Sequence, residues 1–165
     1  MKRIYMVVVC LPLVAMILSC SKYTAPASTP VKKTTTVSTA AMEASILSYI
    51  NAHRKSKGLP ALVSNSAIAQ QAEIHSRNMA TGRTAFGHDG FQQRVKNIAA
   101  SLGFISASAE NVAYGSRTAR EVVNGWLNSS GHRKNIEGNY TLTGIGVYAD
   151  RNGVLYFTQL FARKG

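Results

Sequence analysis

The chain has only two cysteines, Cys10 and Cys20, and both fall within its first twenty residues. From Ser21 onward there is no thiol. The folded part therefore has no disulfide framework, no cysteine nucleophile, no zinc ribbon and no iron–sulfur site. It must be held by its apolar core alone. A composition of 45% apolar residues over 165 positions is sufficient for one domain. A domain of this size buries roughly two-thirds of its unfolded-chain surface.

The cysteines sit in a segment with a different task. Lys2 and Arg3 precede an uncharged, almost wholly apolar run from Ile4 to Leu18, interrupted by Pro12. That run is shorter than the ~20 residues a membrane span needs. A basic start followed by a short apolar stretch reads as an export signal over residues 1–19. Ile17-Leu18-Ser19-Cys20 resembles a bacterial lipobox, which implies cleavage before Cys20 and lipidation of its thiol. The alternative is an ordinary secretory signal cleaved somewhat later. Either way the chain is expected outside the cytoplasm, and a lipidated Cys20 would anchor it to a membrane of the bacterial envelope.

Residues 20–40 carry the anchor cysteine and a tether. Nine of the twenty residues from Ser21 to Ala40 are Ser or Thr, three are Lys, two are Pro and none is acidic. Such a segment buries too little surface to offset its ordering entropy. The formal charge of the whole chain is +12. Without Lys2 and Arg3, 17 basic residues face 7 acidic ones, a net +10. This favours anionic partners such as anionic lipid or envelope polymer, while export makes nucleic acid an unexpected one.

Residues 41–165 carry the periodic patterns of a folded domain. Met42, Ile46, Tyr49, Ile50 and His53 form one helical stripe, ended by Gly58 and Pro60. Ile68, Ala72, His75 and Met79 form a second, preceded by capping residues at Ser64 to Ser66 and ended by Gly82. Asp89 and Gln92 have the spacing of a capping box for a third helix, with Phe91, Val95, Ile98 and Leu102 inward. Thr118 and Glu121 repeat that spacing before a fourth helix bearing Ala119, Val122, Val123, Trp126 and Leu127. Thr141 to Ala149 and Val154 to Ala162 read as strands around the turn Asp150-Arg151-Asn152-Gly153. The last strand is apolar on both faces, so both should be covered. Ala109 to Tyr114 is a third strand candidate. Helices on each face of a small, mostly antiparallel sheet follow.

Three residues stand out for chemistry. Glu110 falls on a strand face with Val112 and Tyr114, where a carboxylate needs a cation, several donors or a metal; holding a loop backbone is the plainer role. His88 precedes the third helix, whose N-terminal partial charge favours a neutral imidazole able to bind metal or take a proton. An exposed loop histidine is the alternative. His132 follows the Trp126 helix, where a cation near a C-terminus is the plainer reading. His53 and His75 lie on apolar stripes and read as hydrogen-bonded core or rim residues. The spacing of His88, Glu110 and His132 matches no local metal motif.

An ordered set of segments resembles the CAP superfamily (SCP domain; cysteine-rich secretory, antigen 5 and pathogenesis-related proteins), in its compact bacterial branch. The set comprises Ile50-Asn51-Ala52-His53-Arg54, Gly58-Leu59-Pro60, Ala72 to Ala80, Phe86-Gly87-His88 and Glu110-Asn111-Val112-Ala113. Trp126 to Ile136, Thr143 to Val147 and Tyr156 to Phe161 complete it. The resemblance implies a three-layer α/β/α sandwich with a cleft at one sheet edge. It also implies a tetrad of two histidines and two acids in that cleft, which binds Zn²⁺ or another divalent cation in some members. His88, Glu110 and His132 match three of the four positions. The fourth, about three residues after Trp126, is Ser129. The disulfides of the eukaryotic members are absent.

These readings lead to an envelope-anchored module whose cleft binds a divalent cation through His88 and His132. Glu110 would orient a ring or a bound water, and a small lipid or peptide would be the ligand. A metal-assisted hydrolase of peptidase type is the second expectation, without a visible dedicated base. Electrostatic binding of anionic lipid or wall polymer by Arg117, Arg120, Arg133 and Lys134 is the third, against a merely solvated basic face.

Overall fold

The computed structural model describes residues 38–165. The export signal, Cys20 and the tether up to residue 37 lie outside the described residues. The elements run α1 (Thr39–Ser56), β1 (Val63–Ser64), α2 (Ser66–Ala80), α3 (Phe91–Leu102), β2 (Ile105–Tyr114), α4 (Ala119–Asn128), α5 (Ser130–Ile136), β3 (Leu142–Ala149) and β4 (Leu155–Lys164). The sheet order is β1-β3-β4-β2, with β4 antiparallel to both neighbours and β1 parallel to β3. Helices α2 and α3 cover one face and α1 and α4 the other, the α/β/α sandwich expected.

Each face has its own core. Met42, Ile46, Ile50, Val122, Trp126, Val147, Phe157 and Phe161 pack on the α1/α4 side. Ile68, Ala72, Ile98 and Leu160 pack on the α2 side. The two faces differ in spacing. Gly144 and Gly146 point at α2, and a Cβ on either would fall inside the α2 backbone at Ala69 or Glu73. Two missing side chains thus let α2 lie directly on β3. Ser76 uses the approach: its hydroxyl lies 2.8 Å from both the Gly146 carbonyl and the Thr158 hydroxyl.

Several expectations needed correction. The first helical stripe turns Arg54 inward, at 1% exposure, and leaves His53 at the rim, 2.8 Å from Glu137. Arg54 has no carboxylate partner. Its guanidinium donates to the carbonyls of Pro60, Ile136, Gly138 and Tyr140, gathering the end of α5 and the turn before β3. Burial draws its pKa down, but guanidinium stays charged. The third helix is not capped by Asp89. Its N-cap is Gly90, left-handed at φ 77° and without a side-chain capping bond, and the Asp89 backbone carbonyl accepts from Arg94. The Thr118 box is half reciprocal: Thr118 caps the Glu121 N–H, while Glu121 reaches the N–H of Arg117. His132 does follow the Trp126 helix, but it lies inside a separate short helix, α5. β1 was not anticipated, since two residues have no periodicity to read.

The outer edge of β2 is closed by side chains. Trp126 Nε1 donates to the Val112 carbonyl and Asn135 Nδ2 to the Glu110 carbonyl, so this edge does not template another strand.

Three stability outcomes follow. Gly146→Ala should cost about 3 kcal/mol or more, since backbone must move. Gly125→Ala, exposed on α4 with open space around it, should gain up to about 1 kcal/mol. Arg54→Met should cost about 3 kcal/mol or more, by leaving buried carbonyls unpaired. Urea unfolding of the three variants beside the parent checks all of them.

Candidate functional site

The site forms where the loop before α3 meets the edge strand β2. Glu110 alternates inward on β2, facing α2 and α3, and its side chain is 2% exposed. A buried carboxylate needs strong partners, and it has them. Arg94, from α3, sets two guanidinium nitrogens 2.7 Å from its two oxygens. His88 Nδ1 lies 2.9 Å from Oε1. The pairing is the bidentate fork that carboxylate and guanidinium make best.

His88 is held by its neighbours as well. His75, buried on α2, donates from Nε2 to the Gly87 carbonyl at 2.9 Å. Arg94 donates to the Asp89 carbonyl at 2.8 Å. The loop is therefore fastened on both sides of residue 88, and the His88 side chain remains 54% exposed. With Nδ1–H given to Glu110, the neutral ring carries its lone pair on Nε2. This is the arrangement by which a carboxylate sets the tautomer of a metal-ligating or basic histidine.

His132 approaches from the other side of the strand. Asn111 donates to its carbonyl at 3.2 Å, and Asn135 bonds the Asn111 side chain at 2.9 Å. Burial pushes the His132 ring pKa down, and the nearby His88 pushes it further. The sequence-selected residues thus come together unequally. His88 and Glu110 are hydrogen-bonded, whereas His132 shares no hydrogen bond with either side chain among the described residues. A cleft of about 230 Å³ is lined by His88, Phe91, Ala109, Glu110 and Asn135. Ser129 sits at the α4–α5 junction as the cap of α5, without a side-chain capping bond.

Among the described residues, no group of three or more His, Cys, Asp and Glu is placed to hold a metal ion. Glu110 uses both oxygens on Arg94 and His88.

Arg94 and Asn135 were not anticipated, whereas His75 is the buried, hydrogen-bonded histidine expected, its partner being the Gly87 carbonyl. Arg94 had a signal: it shares the helical face of Phe91 and Ile98, and Glu110 is one of only seven acids in the chain. Of the expected basic patch, Arg120 stacks over the Tyr49 ring at 4.6 Å and Arg133 donates to the Leu127 carbonyl. Both are partly spent within the domain.

A family model described as the cysteine-rich secretory protein family, CAP, matches residues 47–161. The chain belongs to the CAP family. YkwD of Bacillus subtilis is 34% identical over 146 residues, which cover 85% of this chain and 55% of YkwD. The membrane protein YlbC of the same organism is 32% identical over 138 residues, 74% of this chain and 34% of YlbC. The chain thus spans about half of one relative and a third of the other. An extracellular SCP-domain protein from Bacillus anthracis superposes with a TM-score of 0.65 at 29% identity, over 76% of this chain and 41% of that one. A cysteine-rich secretory protein from Staphylococcus aureus gives 0.62 at 25% identity, over 82% and 41%. An outer surface protein from Borrelia burgdorferi gives 0.62 at 22% identity, over 73% and 90%, and shares the fold. This is a CAP/SCP-domain protein of the bacterial branch.

The site predicts a pH response. Burial holds the His75 pKa below its usual 6.5, and Arg94 and His88 add to that; the Gly87 carbonyl and Glu110 oppose it. The unfolded chain therefore takes up a proton that the fold refuses. Stability should be complete above pH 6.5 and fall as pH drops from there toward the folded-state value. His132 acts in the same direction. His75→Gln keeps a donor for Gly87 and should flatten the slope of unfolding free energy against pH below 6.5, read by denaturation at a series of pH values.

Proposed function

We propose that this CAP domain is a lipid-anchored module of the bacterial envelope whose cleft binds a divalent cation, Zn²⁺ being the natural first choice, together with a small lipid or peptide. The observation that carries this reading is the chain Arg94–Glu110–His88. A buried ion pair fixes the tautomer of a half-exposed histidine and leaves Nε2 as a donor atom. His132, kept neutral by burial, supplies the second nitrogen. A cation held by two imidazoles keeps open positions and would polarise an oxygen of the ligand. The lipobox-like Ile17-Leu18-Ser19-Cys20 and the tether after it support the anchor.

Binding is favoured over hydrolysis because the only acid of the cleft is committed. Glu110 is neutralised by Arg94 and cannot double as a free general base. A metal-assisted peptidase would need its base from elsewhere, and Ser129, where the second tetrad acid would fall, is not one.

Calorimetric titration of the purified protein with Zn²⁺ near neutral pH tests the proposal. The expected result is one bound equivalent, lost in His88→Ala/His132→Ala. Glu110→Gln should weaken binding about 10- to 100-fold by freeing the ring of His88. Binding retained by the double variant, or absent in the parent, overturns the cation site. Metal-dependent turnover of a peptide or ester panel would instead support the hydrolase.

A further inference from the structure

A second candidate site lies on the same sheet face, away from Glu110 and independent of any cation. Tyr114, Tyr156 and Tyr148 stand directly opposite one another across β2, β4 and β3. Tyr114 and Tyr156 stack at 5.6 Å, and Phe86 meets Tyr114 edge-on at 4.8 Å. The row is open at its outer end, where Tyr114 on the edge strand is 58% exposed and Phe86 48%, while Tyr148 and Tyr156 are half-buried. Helix α2 meets β3 at Gly144 and Gly146 through Ala69 and Glu73, and it ends at Ala80 beside Tyr148 and Tyr156.

The row runs into a groove of about 730 Å³ between the end of α2 and the β3–β4 turn. Tyr148 and Tyr156 form one wall, Met79 to Gly82 another, and Asp150 to Asn152 the rim. Its polar groups are largely unspent. Among the described residues, the hydroxyls of Tyr114, Tyr148 and Tyr156 and the side chains of Arg151 and Asn152 have no hydrogen-bond partner. Neither do the carbonyls of Ala80 and Thr81, at the open end of α2. Asp150 uses one oxygen on the turn N–H groups of Asn152 and Val154. Of the lining residues, only Asp150 and Arg151 are charged, and they offset each other.

This combination narrows the ligand. An acyl chain would strand the unpaired donors and acceptors. A polyanion would meet Asp150 and carbonyl oxygens. A pyranose answers both features. Its hydroxyls donate and accept in turn, and its C–H face bears the slight positive charge that an aromatic face attracts. We infer that the groove between the Tyr148–Tyr156 wall and the Arg151–Asn152 rim is a binding site for a neutral oligosaccharide. An extended peptide shares some of this chemistry. It is less favoured because the groove wall is two tyrosine rings, whose faces a sugar's C–H face covers better than a peptide backbone does.

The probe is a soluble tetramer of β-1,4-linked N-acetylglucosamine, titrated into the purified protein by calorimetry and amide chemical shift. The parent should bind it, with shifts concentrated at Thr81, Gly82 and Tyr148 to Tyr156. Tyr148→Ala should weaken binding at least about tenfold, as loss of an aromatic anchor does. Arg151→Ala and Asn152→Ala, on an exposed turn where folding is not at stake, should each weaken it about three- to tenfold. If Tyr148→Ala fails to fold, these two decide. No binding by the parent at about 10 mM tetramer, binding that both rim variants keep, or stronger binding of an unrelated tetrapeptide at the same groove overturns the inference.

Discussion

The absence of a side chain at Gly144 and Gly146 is the constraint on which the remaining geometry rests. It lets the α2 backbone settle against β3, closer than any interdigitated layer allows. That depth brings Ser76 to the sheet backbone and sets His75 where it reaches the Gly87 carbonyl. Gly87 is adjacent to His88, and His88 meets Glu110. A close approach between a helix and a strand is thereby converted, through three hydrogen-bonding side chains, into the orientation of one imidazole.

The other wall of the cleft depends on a different device. Arg54 lies on the far side of the domain from Glu110, yet its guanidinium gathers the carbonyls at the end of α5. Asn135 and the His132 carbonyl then tie α5 to β2. Two buried arginines thus frame the site in opposite ways. Arg94 is matched to a carboxylate and sets charge and tautomer. Arg54 is matched to carbonyl dipoles alone and sets position. Carbonyl groups suffice for it because several converge on one fork, a geometry that lysine could not reproduce.

Without disulfides, the domain depends on two separate cores, one on each face, and on side-chain closure of the β2 edge. Trp126 serves both ends at once. Its ring fills the α1/α4 core while its N–H caps the Val112 carbonyl. The tyrosine row runs from the edge strand, where Tyr114 is exposed, to the groove beside the end of α2.

The amino-acid sequence was sufficient for the helices, the hairpin strands and the layered architecture, because amphipathic period and turn chemistry are local. The ordered CAP segments also made His88, Glu110 and His132 candidates, of which the fold hydrogen-bonds His88 to Glu110. The sequence did not disclose Arg54 or Arg94 as buried. A long basic side chain on a helical stripe reads as rim until the carbonyls or the carboxylate that receive it are known, and those lie up to 86 residues away. β1 and α5 were illegible for a related reason: a two-residue strand and a seven-residue helix exist by pairing and docking, not by propensity. The partner of Glu110 was likewise a tertiary matter: the fold brings the Arg94 guanidinium to its oxygens.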